Sequence, residues 1–117
     1  MSVKSILVVE DDTAIRETIA MVLESEGYLV HTASNGAEGL TILKRGDRPN
    51  LILLDLNMPV MDGWEFMKVY PTTDGLAQVP IVVLTANGGS KIPGGVSEHF
   101  NKPIELANLL SVAQRYC

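Results

Sequence analysis

The chain has 117 residues, a length that fits one domain, and 46% of them are hydrophobic, enough for a sizeable core. The net charge is −5 and the basic residues are scattered, which argues against direct binding to nucleic acid. No apolar run reaches the roughly 18 residues of a membrane span. The start lacks a signal-peptide pattern and the single cysteine, Cys117, cannot form an internal disulfide, so we expect a cytoplasmic protein with no membrane partner.

Strand-like and helix-like segments alternate in the first third of the chain. Residues 5–10 are apolar and β-branched without alternation, which predicts a buried strand. Thr13–Ser25 carries apolar residues at helical spacing; Asp12 or Thr13 can cap this helix, and Gly27 ends it. This order of elements is typical of the start of an α/β fold.

The alternation continues to the end of the chain. Asn35, with Glu38 three residues later, predicts the start of a helix that runs to about Lys44. The other predicted strands are Leu29–Ala33, Leu51–Asp55, Ile81–Thr85 and residues 99–101, and the other predicted helices are residues 63–70 and 104–116. Strands alternating with helices predict a parallel sheet with helices on both faces and right-handed crossovers.

Polar side chains that can bind a metal or a phosphate follow the predicted buried strands. They are the carboxylates Glu10, Asp11, Asp12 and Asp55, the hydroxyl of Thr85 and the ammonium of Lys102. In open α/β sheets, ligands bind outside the carboxyl ends of the strands. The sequence therefore predicts one acidic site faced by a hydroxyl and an ammonium group.

The residue types at this site favour a particular chemistry. Hard oxygen ligands without cysteine or clustered histidine suit Mg²⁺ rather than zinc or copper. A carboxylate can attack phosphorus and form an acyl phosphate. Lys102 and a metal would offset the charge on the phosphoryl oxygens, and Thr85 could donate a hydrogen bond to one of them. We therefore predict a site for a divalent cation and a phosphoryl group.

Four blocks of sequence, in this order, resemble the signatures of the response-regulator receiver domain of two-component signalling. They are ILVVEDD at residues 6–12, LDLNMPVMDG at 54–63, VLTA at 83–86 and Lys102-Pro103. The joint match is specific, whereas any single block would be weak. The resemblance implies that residues 1–117 form a single receiver domain, a doubly wound α/β fold with a five-stranded parallel sheet in the flavodoxin-like order 2-1-3-4-5.

The resemblance also implies which residues hold the metal and the phosphoryl group. Asp55 corresponds to the phospho-accepting aspartate, which also contacts Mg²⁺. Asp11 corresponds to a direct Mg²⁺ ligand, and Glu10 to a neighbour that usually acts through water. The backbone carbonyl of Asn57 corresponds to the third protein ligand, and Gly63 is expected to give the loop a position with positive φ.

Three further positions correspond to residues that respond to phosphorylation in the family. Thr85 corresponds to the switch hydroxyl and Lys102 to the phosphate-binding lysine, whose bond to Pro103 is expected to be cis. His99 stands where the family often has a Tyr or Phe switch. A partly buried, hydrogen-bonded core histidine is an equal alternative for His99.

The match departs from the family between Thr85 and Lys102. Residues 88–98 contain four glycines and one proline, which cost roughly 1 and 3 kcal/mol each in a helix interior. We therefore expect the fourth helix of the family to be shortened or missing, which puts the usual output surface in doubt. We further expect phosphorylation to order or redirect residues 88–96.

The leading interpretation is a signalling domain that takes a phosphoryl group from a phosphohistidine on a histidine kinase or histidine phosphotransfer protein. It would catalyse only its own phosphorylation and dephosphorylation and act on an unknown downstream protein by contact. A receiver cut from a larger regulator or hybrid kinase is an alternative. An aspartyl-phosphate phosphohydrolase would need a different motif, a structural module with a silent site would lack these residues, and a flavin-binding domain would not place acids after its first strand.

Overall fold

A computed structural model describes residues 3–45, 48–70, 79–86 and 92–117 of the chain. Within these residues the elements, in chain order, are β1 (Ser5–Val9), α1 (Thr13–Ser25), β2 (Leu29–Ala33), α2 (Gly36–Lys44), β3 (Leu51–Asp55), α3 (Gly63–Val69), β4 (Ile81–Thr85), β5 (Glu98–Asn101) and α4 (Leu106–Tyr116). Among them, no helix combines the length and apolar character that crossing a bilayer requires.

The five strands form one parallel sheet in the order β2-β1-β3-β4-β5. This confirms the predicted doubly wound α/β fold and its strand order. The register pairs Val9 with Leu54 and Asp55 with Leu84, so the carboxyl ends of the three central strands lie side by side. The side chains that follow these strands are therefore brought to a common edge.

The two faces of the sheet carry separate hydrophobic clusters. One contains Leu40 of α2 and Phe66 of α3 over Leu54, and the other contains Leu23 of α1 and Val112 of α4. The central strands β1, β3 and β4 are buried almost throughout, whereas the edge strands β2 and β5 are partly exposed. Burial on both faces explains why the central strands are continuous apolar runs in the sequence.

Local capping interactions begin three of the helices. Asp12 accepts a hydrogen bond from the Ile15 backbone N–H at 3.0 Å, which confirms Asp12 as the N-cap of α1. Asn35 caps α2 in the same way through the N–H of Glu38, at 2.9 Å. Asp62 begins α3 with a reciprocal capping box, in which Asp62 accepts from the N–H of Glu65 and the Glu65 side chain accepts from the N–H of Asp62. Since α3 follows the loop after Asp55, this cap fixes where that loop ends.

The bounds of the last two elements differ slightly from the prediction. The final helix begins at Leu106 rather than at residue 104, because Glu105 keeps an extended backbone (φ −70°, ψ 146°) as its N-cap. The edge strand begins one residue earlier, at Glu98. The Lys102-Pro103 peptide between them is cis, as predicted.

The described part of the connection between β4 and β5 contains no helix, which agrees with a shortened or missing fourth helix. Residues 87–91 lie outside the described residues, and so does much of the segment predicted to become ordered on phosphorylation. In the described part, Ile92 and Val96 pack against the cluster under α2 and α3, and Pro93 is buried. This stretch therefore covers the core with single side chains instead of a helical face.

Candidate functional site

The structure brings the predicted acidic residues together at the carboxyl ends of β1 and β3. One carboxylate oxygen each from Glu10, Asp11 and Asp55 lies within 4.8 Å of the other two. Asp11 is exposed, whereas Glu10 and Asp55 are buried. The fourth carboxylate, Asp12, instead caps α1. The cluster therefore consists of three acids, with the exposed one at its mouth.

Lys102 places a positive charge against the two buried acids. Its Nζ lies 2.7 Å from Glu10 Oε1 and 3.3 Å from Asp55 Oδ1. The backbone N–H of Lys102 donates to the carbonyl of Thr85 at 2.9 Å, which ties the end of β5 to the end of β4. Thr85 itself is buried at the end of β4, next to the acidic cluster in the strand order. All the predicted phosphoryl-contacting groups thus lie at one edge of the sheet.

The loop after β3 shapes the surroundings of Asp55. The N–H of Asn57 donates to Asp55 Oδ1 at 3.3 Å, and the N–H of Gly63 donates to the Leu56 carbonyl at 2.9 Å. A Cβ on Gly63 would lie 2.6 Å from the carbonyl oxygen of Asp55. The loop therefore folds back tightly on the backbone of the phospho-acceptor candidate.

The expectation that Gly63 has a positive φ is wrong. The loop residue in that conformation is Val60, with φ 67°, and Gly63 is instead the first residue of α3. Gly63 is needed for close backbone approach, because a side chain there would collide with the end of β3. The turn at Val60 is tight, since Met61 N–H donates to the Pro59 carbonyl at 2.7 Å.

Burial and neighbouring charge alter the acidity of the site. The pKa of Asp55 is raised from 3.8 to about 7: burial is the largest cause, the nearby carboxylate of Glu10 adds to the rise, and the Lys102 ammonium opposes it. Burial alone would lower the pKa of Lys102, but hydrogen bonding and charge from Glu10 and Asp55 outweigh it and raise that pKa. Lys102 therefore stays charged, and the acids repel one another.

The donor set fits a hard divalent cation. The three carboxylates supply oxygen ligands, and Asn57 is exposed two residues beyond Asp55. Glu10 Oε1 is buried and, apart from its ion pair with Lys102, makes no hydrogen bond with any described residue. Three acids facing one ammonium leave excess negative charge that a cation would offset. The residues present are thus suited to Mg²⁺.

His99 lies on the edge strand β5, opposite Val83 of β4. Its side chain is exposed, so the alternative of a partly buried core histidine is wrong. Phe100, the next residue, packs against the cluster that contains α1 and α4. The role of His99 as a switch remains a prediction.

Comparison with known proteins identifies the family to which this site belongs. The model of the response regulator receiver domain matches residues 6–114, which include every residue of the acidic cluster and Lys102. The chain is a response regulator receiver domain. This agrees with the resemblance predicted from the sequence, and the receiver domain is a signalling module of two-component systems.

Three relatives illustrate the range of proteins that carry this domain. The chain is 37% identical over 106 residues to the transcriptional regulatory protein AfsQ1 of Streptomyces coelicolor, covering 86% of this chain and 45% of that protein. Chemotaxis response regulator CheY4 of Vibrio cholerae is 32% identical, with a TM-score of 0.88 and coverage of 99% and 100%. The receiver domain of sensor histidine kinase PA1611 from Pseudomonas aeruginosa, solved with a magnesium ion in its active-site cleft, is 30% identical, with a TM-score of 0.89 and 98% coverage of both.

The relatives also differ in what accompanies the receiver. The chain spans about half the length of most of the curated relatives it matches. One similar solved structure is a chemotaxis regulator of the same extent, and another is the receiver of a kinase. Receiver architecture is therefore common to the set, whereas the attached parts vary.

Proposed function

We propose that this receiver accepts a phosphoryl group on Asp55 in a reaction that requires Mg²⁺. The observation that carries the proposal is the position of the Asp55 carboxylate, which is buried within 4.8 Å of two other carboxylates and 3.3 Å from the Lys102 ammonium. Asp55 as the nucleophile, the other two acids as cation ligands and the positive charge of Lys102 would therefore act within the same small volume. Phosphoryl transfer depends mainly on such positioning and charge stabilisation.

Each residue has a distinct part in the proposed reaction. Asp11, Asp55 and the Asn57 carbonyl would hold Mg²⁺, with Glu10 acting through water; the ion supplies positive charge that offsets the negative phosphoryl oxygens. An oxygen of Asp55 attacks phosphorus while the bond from phosphorus to the donor imidazole breaks, and the electrons of that bond return to the imidazole nitrogen. The Lys102 ammonium and the Thr85 hydroxyl stabilise the transferred group. The same site would later admit water to hydrolyse the acyl phosphate.

The donor is inferred from the family of the chain, and the readout from its charge. We propose a phosphohistidine on a histidine kinase or histidine phosphotransfer protein as the donor, and a downstream protein rather than nucleic acid as the target. The net charge of −5 supports a protein target, because a duplex would be repelled. We also propose that the protein is cytoplasmic. Residues 1–117 would act as one receiver unit, alone or within a longer protein.

Intact mass measurement after incubation with a small phosphoryl donor tests the acceptor. We expect the wild type to gain one phosphoryl group in Mg²⁺ and none in excess chelator. Asp55→Asn should gain none. Asp12→Asn is a matched control, since it removes a neighbouring carboxylate but Asn keeps the N-cap of α1. Equal phosphorylation of Asp55→Asn and wild type would overturn the assignment.

Metal titration distinguishes the two exposed acids that follow β1. Asp11→Ala should weaken Mg²⁺ binding by at least about tenfold, because a ligand oxygen is lost. Asp12→Ala should leave Mg²⁺ affinity close to that of the wild type and cost about 1 kcal/mol of stability through the lost cap. Calorimetric titration and thermal melts of both variants measure this. Equal losses of metal affinity would mean that the roles are assigned wrongly.

A further inference from the structure

The side chain of Arg16 reaches back from the first turn of α1 to the end of β1. Its Nη1 donates to the carbonyl oxygen of Glu10 at 2.9 Å and lies 3.4 Å from the carbonyl oxygen of Asp11. Its Nη2 lies 3.4 Å from Thr13 Oγ1. The guanidinium therefore contacts the backbone of two of the three residues whose carboxylates form the acidic cluster.

Besides Arg16, this backbone is anchored by the N–H of Asp12, which donates to Glu10 Oε2 at 3.1 Å. The N–H of Glu10 donates to the carbonyl of Ala33 at 2.9 Å, at the end of the pairing between β1 and β2. Two residues later, Asp12 caps α1. Between these two points the chain must leave the sheet and present the carboxylates of Glu10 and Asp11 to the site. Because the carboxylates repel one another, this stretch needs a restraint that does not neutralise them.

Arg16 is suited to that restraint because its own charge is not paired with a carboxylate. No ion pair among the described residues includes Arg16, although Glu10, Asp11 and Asp12 lie close by in the chain. The side chain is half-buried, and its hydrogen bonds go to two carbonyls and a hydroxyl. A planar guanidinium can hold two carbonyls at fixed directions, which an ammonium group cannot do equally well.

We propose that Arg16 is a positioning residue that holds the backbone of Glu10 and Asp11 so that their carboxylates are set for the divalent cation. The inference rests on the proposed function for the role of the cation, but the contacts of Arg16 with the two carbonyls are seen directly in the structure. Second-sphere groups that orient metal ligands typically change metal affinity by 10–100-fold when they are removed.

A purely electrostatic role makes the opposite prediction. If Arg16 acted only as a nearby positive charge, its removal would leave the site more negative and Mg²⁺ would bind more tightly. If Arg16 positions the ligands, its removal weakens Mg²⁺ binding in spite of the more negative site. The direction of the change in affinity therefore distinguishes the two roles.

The test compares Arg16→Met, Arg16→Lys and Arg45→Met with the wild type by calorimetric Mg²⁺ titration, thermal melts and amide hydrogen exchange of the metal-free protein. Arg45→Met is the matched control, because Arg45 is exposed at the C-cap of α2, the end of that helix remote from the site edge. We expect Arg16→Met to bind Mg²⁺ about tenfold more weakly and Arg45→Met to be unchanged. Arg16→Lys should recover part of the affinity, and the Asp12 amide should exchange faster in Arg16→Met.

Three results would overturn the inference: tighter Mg²⁺ binding by Arg16→Met, unchanged binding with only a lower Tm, or unchanged exchange of the Asp12 amide. Failure of the wild type to bind Mg²⁺ would instead count against the proposed function. Amide exchange in the metal-free protein would then still decide whether Arg16 restrains this backbone. The two failures are thus distinguishable.

Discussion

The loop after β3 and the connection before β5 differ in how closely they are packed. At Gly63, which ends the β3 loop, an added Cβ would lie 2.6 Å from the Asp55 carbonyl and 2.8 Å from the Leu56 Cα. At Gly94, in the connection before β5, an added Cβ would meet nothing within 4 Å. The backbone beside the acidic site is therefore tightly determined at Gly63, whereas the described part of the connection leaves open space at Gly94.

The largest expected effect tests whether the site edge depends on Lys102. Lys102→Met should lower stability by about 3 kcal/mol, near 12 °C in Tm, because two buried carboxylates lose their positive partner. Arg115→Met, which breaks the more exposed pair between Glu98 of β5 and α4, should cost less than about 1 kcal/mol. Thermal melts of the metal-free variants at neutral pH measure both. Equal losses of stability would show that the buried ion pairs of Lys102 at the site edge matter no more than the exposed pair of Arg115.

The glycine pair tests the packing contrast directly. Gly63→Ala should cost about 2 kcal/mol, near 8 °C in Tm, because the neighbouring atoms are backbone and cannot move aside easily. Gly94→Ala should be neutral or slightly stabilising, since the site is open and the unfolded chain loses freedom. Denaturant titrations of both variants give the comparison. A Gly94→Ala variant as unstable as Gly63→Ala would show that the connection is packed as tightly as the loop.

The pH dependence of stability tests the strain within the acidic site. The folded pKa of Asp55, about 7, lies above its ordinary value of 3.8, so the folded state binds the proton more tightly than the unfolded chain. The stability that the protonated Asp55 adds to the folded state is fully present below pH 3.8 and is lost as the pH rises through 7. The full shift would be worth about 4 kcal/mol, but solvent at the exposed mouth of the cluster screens part of it. Metal-free Asp55→Asn should therefore be more stable than the wild type by about 1.5 kcal/mol at pH 8 and nearly equal to it at pH 4. A difference that grows as the pH falls would contradict this sign.

The smallest expected effect concerns backbone strain in the loop that contains the site. Val60 has φ 67°, a conformation costing about 1–2 kcal/mol for an L residue, and its side chain is 80% exposed. Val60→Gly should raise stability by about 1 kcal/mol, or 4 °C in Tm. Gly95→Ala, at φ 88° in the other region, should lower it by a similar amount. If Val60→Gly were destabilising, contacts of the valine would outweigh the strain.

The sequence alone determined the fold and which charged side chains meet at the acidic cluster. The bounds of α1, β2, β3 and β4 match the prediction because their signals are local: continuous apolar runs for buried strands and short polar caps for helices. The site residues were predictable because parallel strands align their carboxyl ends, so residues far apart in the chain must meet at one edge.

Only the tertiary structure decided how that edge is held together. Arg16 bonds the carbonyls of Glu10 and Asp11, and nothing in a helical pattern indicates that a side chain turns back towards the preceding strand. The sequence also assigned the positive φ to Gly63 rather than Val60, because a glycine needed for close approach looks the same as one needed for a turn. Such roles depend on which atoms face a residue across space, and that is set by the path of the loops rather than by the residue type.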